Sequence, residues 1–222
     1  MKSKLVTALL CLVMLAGLVF GSAVAEEHPA HLTVIATTYP LYDMAFQIGG
    51  GHLNVVYQPD ATVESIEGSD ILLCMGGEKD SWAADLEDVM VVRAMDGIEL
   101  IEGEENVLTI PVNNMIVASY FTDALCIADE SHSDMYVNNL GMYTEALIAL
   151  DLNFRDVIKE GTKVFCEDGS MAYFAKEYGV EAVDNRDGAV IMNTYEHPAD
   201  EELTVPYIEL MEQNLEALIH VE

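Results

Sequence analysis

The stretch MYVNNLGMYTEALIALDLNFRDV, residues 135–157, decides how the rest of the chain is read. Its Tyr136, Leu140, Tyr143, Leu147, Leu150, Phe154 and Val157 recur at intervals of 4, 3, 4, 3, 4 and 3 residues, which aligns them as one apolar stripe on a helix. A helix of about 25 residues, rising 1.5 Å per residue, is roughly 37 Å long. That is more than a small domain needs. The heptads do not continue on either side, so the helix reads as a strut lying across two lobes rather than a coiled-coil strand. Gly161 follows as its stop.

On both sides of this helix, strand and helix patterns alternate. Before it, residues 31–37 (HLTVIAT) read as a buried first strand, broken at Tyr39-Pro40. Leu41, Ala45, Phe46 and Ile48 predict a helix that ends at Gly49-Gly50-Gly51. Residues 53–57 and 70–75 read as strands, 82–86 as a short helix, and 89–92 and 107–110 as short strands. After it come a strand over 162–166, a helix over 170–178 closed by Gly179, strands over 180–183 and 189–192, and an amphipathic helix from about Pro206 to Ile219. Such alternation predicts an α/β fold with mostly parallel sheets.

The amino terminus has a different character. Lys2 and Lys4 precede an apolar run from Leu5 to Phe20, and Ala23-Val24-Ala25 follows. A basic start, a short apolar core and small residues at the exit describe a cleavable secretory signal over residues 1–25, with the mature chain starting at Glu26. Cys11 lies within the apolar run, which argues against a lipid anchor. The chain is expected to be exported, periplasmic or at the cell surface, with no direct membrane insertion after cleavage. The formal charge is −30, and losing Lys2 and Lys4 takes it to −32. That surface repels nucleic acid and anionic membrane and draws cations. Hydrophobic residues make up 51%, so the acidity does not signal a disordered tail. Cys74, Cys126 and Cys166 are too few and too widely spaced for a disulfide framework, and Cys74 sits in an apolar run as a buried thiol.

Several segments, in order, resemble the zinc- and manganese-binding solute receptors of bacterial ABC importers. These are VIATTYPLYDMAFQIGG (34–50), SDILLCMGGEKDSW (69–82), the region 123–157 read at Asp129, Tyr136, Asn139, Leu140, Tyr143 and Leu150-Asp151, AYFAKEYG (172–179), and YIELMEQNLEAL (207–218). The resemblance implies two small α/β lobes bridged by the long helix, with a Zn2+ or Mn2+ ion held between them and delivered to a membrane ABC permease by a monomeric receptor. It also implies boundaries: an N-terminal lobe over 26–122, a linking helix region over 123–160 and a C-terminal lobe over 161–222. The family's four ligand positions are not all retained. No His stands in QPDATVESIEG (58–68), where the first ligand is expected. Ile110-Pro111-Val112-Asn113-Asn114 replaces the second, CEDGS (166–170) occupies the third, and Asn193-Thr194-Tyr195-Glu196-His197 the fourth.

The remaining candidate ligands are Cys166, Glu167, Asp168, Glu196 and His197, a mixed set that suits zinc through N and S or manganese through oxygen. His28 and His31 flank Pro29-Ala30 as a second, weaker pair, while His52, His132 and His220 read as surface residues. The sequence holds no Gly-x-Ser-x-Gly elbow, phosphate-binding Gly-rich loop or His-Glu-x-x-His, so an enzyme is not expected. Two functions remain: a metal receptor with a degraded site, and an extracellular scaffold of the same lineage that no longer binds metal tightly.

Overall fold

The computed structural model describes residues 31–199 and 202–220. The signal segment, its cleavage point and His28 lie outside them. Strands β1 (Leu32–Ala36), β2 (Leu53–Tyr57), β3 (Ile71–Cys74) and β4 (Met90–Arg93) form a parallel sheet in the order β2-β1-β3-β4. β5 (Lys163–Cys166), β6 (Glu181–Ala182) and β7 (Val190–Met192) form a second parallel sheet in the order β6-β5-β7.

Helix α1 (Tyr39–Gly49) carries Pro40 in its first turn, where no backbone N–H is needed, and ends at Gly50 in the left-handed region (φ 55°). Helix α2 (Pro111–Ala128) likewise starts on a proline. Helix α3 (Ser133–Val157) is the 25-residue strut expected from the apolar stripe. Its Tyr136, Tyr143, Leu147, Leu150 and Phe154 are buried, whereas Leu140 and Val157 are partly covered. Helix α4 (Ala172–Tyr178) stops at Gly179, and α5 (Tyr207–Ile219) closes the described chain behind Pro206.

The strut binds both halves. Its stripe belongs to one hydrophobic cluster that also takes in Val34, Leu41 and Leu73 from the first sheet and its helix, and Val164, Phe174 and Leu218 from the second half. Polar bonds fix its two ends. Asn139 Nδ2 donates to the Ile48 carbonyl at the end of α1 (2.9 Å). Arg155 pairs with Asp151 (2.8 Å) and with Glu177 of α4, and the Tyr178 hydroxyl donates to Asp151 (2.8 Å). A smaller cluster of Ile35, Ile66, Leu72, Cys74 and Ala83 covers the other face of the first sheet. Cys74 is a buried free thiol there, and burial pushes it up to about 12.

One expected strand is absent. Residues 107–110 form a 3-10 turn over Val107–Thr109 rather than a strand. The Asn113 side-chain amide donates to the Val107 carbonyl (2.7 Å), and that of Asn114 to Leu108 (2.6 Å) and Ile110 (2.9 Å). Side chains from the first turns of α2 thus take carbonyls that a ladder would have used. The short helix expected at 82–86 is also 3-10 and starts earlier, spanning Glu78–Asp85.

Replacing Leu147 with Asp puts an unpaired charge on the buried stripe and should cost several kcal/mol, about 3 or more. Replacing the exposed Glu145 with Ala should cost under about 0.5 kcal/mol. Chemical denaturation of the two variants checks the assigned face, and equal midpoints would refute it.

Candidate functional site

In a parallel sheet whose strand order reverses, the loops leaving the carboxyl ends of the two strands at the reversal part to opposite sides and open a crevice. Each sheet here has one such point, between β1 and β3 in the first and between β5 and β7 in the second. The loops that follow these strands meet. From the first half come Thr37 and Thr38 after β1, Met75 to Asp80 after β3, and Glu105-Asn106 ahead of α2. From the second come Cys166 to Ser170 after β5 and Asn193 to His197 after β7. The contact is direct. The Tyr39 amide donates to the Glu196 carbonyl (2.9 Å), Asn106 Nδ2 donates to Glu196 Oε2 (3.2 Å), and the Tyr57 hydroxyl and His197 Nδ1 hydrogen-bond at 2.9 Å.

A cavity of about 40 Å³ lies at this junction, lined by Thr37, Thr38, Met75, Lys79, Asp80, Glu105 and Glu196. That is room for a water or a partly hydrated ion. The Thr37 and Thr38 hydroxyls are buried (4% and 3% exposed) and have no hydrogen-bond partner among the described residues. Buried hydroxyls are normally satisfied, so their pairing capacity is available to an occupant. A broader depression of about 620 Å³ lies on the flank of the first lobe, around Val63–Ser69 and Asp85–Val89. We place the site at the small cavity, because carboxylates from both halves and unpaired hydroxyls meet there.

The glycines of the Met75–Asp80 loop have a mechanical role. Gly76 has φ 91°, and its amide donates to Asp80 Oδ2 (2.9 Å). A Cβ at Gly77 would stand 2.1 Å from a Glu105 carboxylate oxygen, so only glycine lets that side chain reach the Glu78 amide (2.8 Å). Burial pushes the Glu196 carboxyl above its ordinary range. Asp168, Asp80 and Glu105 add to this by repulsion, and Lys79 opposes it. Burial, helped by Lys79, lowers His197 and favours the neutral imidazole that a metal needs, while Asp60 and Asp168 pull the other way.

The five residues expected from sequence reach different ends. Glu196 lines the cavity. The neighbouring His197 lies with Nε2 3.7 Å from Glu196 Oε1. Asp168 is at the junction, but its carboxylate is already engaged. It accepts from the Thr194 amide (2.7 Å), the Thr194 hydroxyl (3.0 Å), the Tyr195 amide (3.1 Å) and the Cys166 thiol (3.2 Å). Those bonds hold Tyr195 in the left-handed region (φ 54°) and aim Glu196 at the first lobe. Cys166 lines a separate depression beside Ser170 and Val183, and burial pushes its thiol up to about 12. Glu167 pairs with Arg186 and does not line the cavity. Among the described residues no three His, Cys, Asp or Glu side chains are set as a closed ligand shell. Of the expected set, Glu196 and His197 thus stand nearest the cavity, Asp168 braces the loop that carries them, Cys166 bonds Asp168 and Glu167 is paired with Arg186.

Sequence reading missed Thr37, Thr38, Lys79, Asp80, Glu105 and Asn106. The second ligand position implied by the resemblance falls at Ile110–Asn114, whereas those asparagines cap local carbonyls, and Asn106 is the side chain that reaches Glu196. Its signal was its position five residues before Pro111 at the start of α2.

The profile of the family described as zinc-uptake complex component A, periplasmic (ZnuA), matches residues 34–189. The chain belongs to the ZnuA family. It is thereby a metal-type substrate-binding protein of the ABC class. The iron-binding protein YfeA of Yersinia pestis is 23% identical over 79% of this chain and 67% of its own. Among solved structures, the metal-dependent lipoprotein YcdH of Bacillus subtilis superposes with a TM-score of 0.76 at 21% identity, covering 86% of this chain and 99% of that one. The Zn(II)-bound ZnuA-like domain of Streptococcus pneumoniae AdcA gives 0.72 at 19% identity, covering 86% and 98%. This ZnuA-family chain thus has the family's two-lobed α/β fold with its long bridging helix. No helix among the described residues is long and apolar enough to cross a membrane.

If Asp168 is a brace, its removal should be felt without any metal. Asp168→Ala should lower stability by about 1–2 kcal/mol in chelator, because the Thr194 and Tyr195 amides lose a charged acceptor. Glu167→Ala, which breaks a solvent-exposed pair, should cost under about 1 kcal/mol. Urea denaturation in EDTA separates the two, and an Asp168 variant as stable as wild type would refute the bracing role.

Proposed function

We propose that this protein is the exported, monomeric receptor of a metal ABC import system, which captures a divalent cation between its lobes and presents it to a membrane permease without catalysing a reaction. The observation that carries this reading is the junction cavity, where Asp80, Glu105 and Glu196 surround two unpaired threonine hydroxyls at the carboxyl ends of both sheets. The −30 charge supports it by raising the local cation concentration. The donors are mostly oxygen, with His197 the nearest imidazole. Such a set suits manganese better than zinc. His and Cys ligands, which hold zinc tightly, are sparse here. Capture is therefore weak, on the order of micromolar or poorer, because an incomplete shell leaves coordination positions to water.

Lys79 is part of the same account. Its ammonium is a tethered positive charge at the cavity wall, and an arriving metal ion must displace or tolerate it. One observation favours the second reading, a scaffold of this lineage: the described residues hold no closed ligand shell.

Calorimetric titration with manganese and zinc at about 0.15 M salt, which screens loose surface binding, distinguishes the two. The receptor reading predicts one saturable site with manganese bound at least as well as zinc. Glu196→Gln with His197→Gln should abolish it, and Lys79→Met should tighten it by about three- to tenfold. No saturable binding in the wild-type protein or in Lys79→Met would leave the scaffold reading in its place.

A further inference from the structure

Three histidines far apart in sequence meet at the opposite end of the first lobe. His31 precedes β1, His52 precedes β2, and His132 lies in the turn between α2 and α3. The His52 and His132 ring centroids are 4.6 Å apart, and those of His31 and His52 are 6.3 Å apart. Two of the rings are held in one orientation through Nδ1. His31 Nδ1 bonds the His52 carbonyl (2.9 Å), and His132 Nδ1 bonds Asp129 Oδ2 (2.6 Å). Each bond places a proton on Nδ1, so that in the neutral ring Nε2 carries the lone pair. Asp129 is itself pinned by the Tyr136 hydroxyl (2.8 Å) and the Ser131 hydroxyl (2.7 Å). A carbonyl or carboxylate behind the imidazole is how metal-binding histidines are oriented and made more basic.

We propose that His52 and His132, joined by His31, form an auxiliary site for an imidazole-preferring divalent ion such as nickel or zinc, with Asp129 as a positioning residue. As placed, the rings do not close around an ion. His31 is exposed, and closing on the other two rings would require its side chain to exchange the bond to the His52 carbonyl for the ion. The site is independent of the cleft. The five residues of β1 separate His31 from Thr37, and the six steps between them span roughly 20 Å of extended chain. The ligand chemistry also differs, with nitrogen donors here and oxygen donors in the cleft, so manganese should avoid this site.

The test is nickel titration of tag-free protein by calorimetry, with nickel-induced paramagnetic broadening of histidine ring protons as a direct readout. Wild type should bind one nickel ion saturably, broadening His52 and His132 and leaving His197 sharp. Glu196→Gln with His197→Gln should leave this binding intact, whereas His52→Gln with His132→Gln should abolish it. Asp129→Asn should weaken it by about tenfold or more. Thermal melts in EDTA verify that the variants fold. Unchanged nickel binding in the His52/His132 variant, or no broadening of those two rings in wild type, would overturn the proposal. Loss of nickel binding in the cleft variant alone would do the same.

Discussion

Burial of the apolar stripe on α3 is the constraint from which the rest of this structure follows. Tyr136 and Phe154 are fully buried 18 positions apart, one toward the first lobe and the other against Phe174 in the second (ring centroids 5.1 Å). A helix of this length cannot hide such a stripe against one small sheet, and the chain supplies two. Because both lobes share the same core cluster along the strut, their relative position is set by packing rather than by a loose linker. Bonds across the halves then fix the cleft, among them the Tyr207 hydroxyl to the Leu108 carbonyl (2.9 Å), the Tyr207 amide to Asp43 (3.1 Å) and the Tyr39 hydroxyl to the Val205 carbonyl (2.6 Å). Desolvation raises Asp43 above the usual carboxylate range, so this inter-lobe acceptor is held in a nearly dry setting.

Once the lobes are fixed, the chemistry of the cleft is a consequence of topology. Two parallel sheets aimed at each other bring together the loops at their carboxyl ends, and the sequence stocks those loops with carboxylates. Like charges gathered in a half-buried space repel, and this repulsion adds to the burial that raises Glu196. Lys79 relieves part of it, and a bound divalent ion would relieve more. Solved structures titled for Zn(II), Mn2+ and Ni2+ share this fold, so the fold by itself does not dictate which ion is taken.

The architecture was legible because it rests on periodicity. The strut's stripe, the glycine stops at Gly50 and Gly179, and most strands could be read from the order of apolar residues. The 107–110 strand was misread because its apolar residues carry no sign that Asn113 and Asn114 would take their carbonyls. The site was legible only in part. Glu196 and Asp168 could be reached through family resemblance, but nothing in the sequence said that Asp168 would be consumed by the Thr194 and Tyr195 amides. Thr37, Thr38 and Asp80 carry no local signal of function, since their significance is that a fold places them around one space. The same holds for His31, His52 and His132, which stand about one hundred residues apart at the extremes.

The proposed cation site is the inter-lobe cavity, built on oxygen donors with Glu196 as its anchor. Anomalous difference maps from crystals soaked in manganese test it most directly. One peak is expected between the lobes, about 2.0–2.3 Å from a Glu196 carboxylate oxygen, with the Thr37 or Thr38 hydroxyl in its surroundings. Crystals at full manganese occupancy elsewhere on the surface, but with no peak between the lobes, would contradict it.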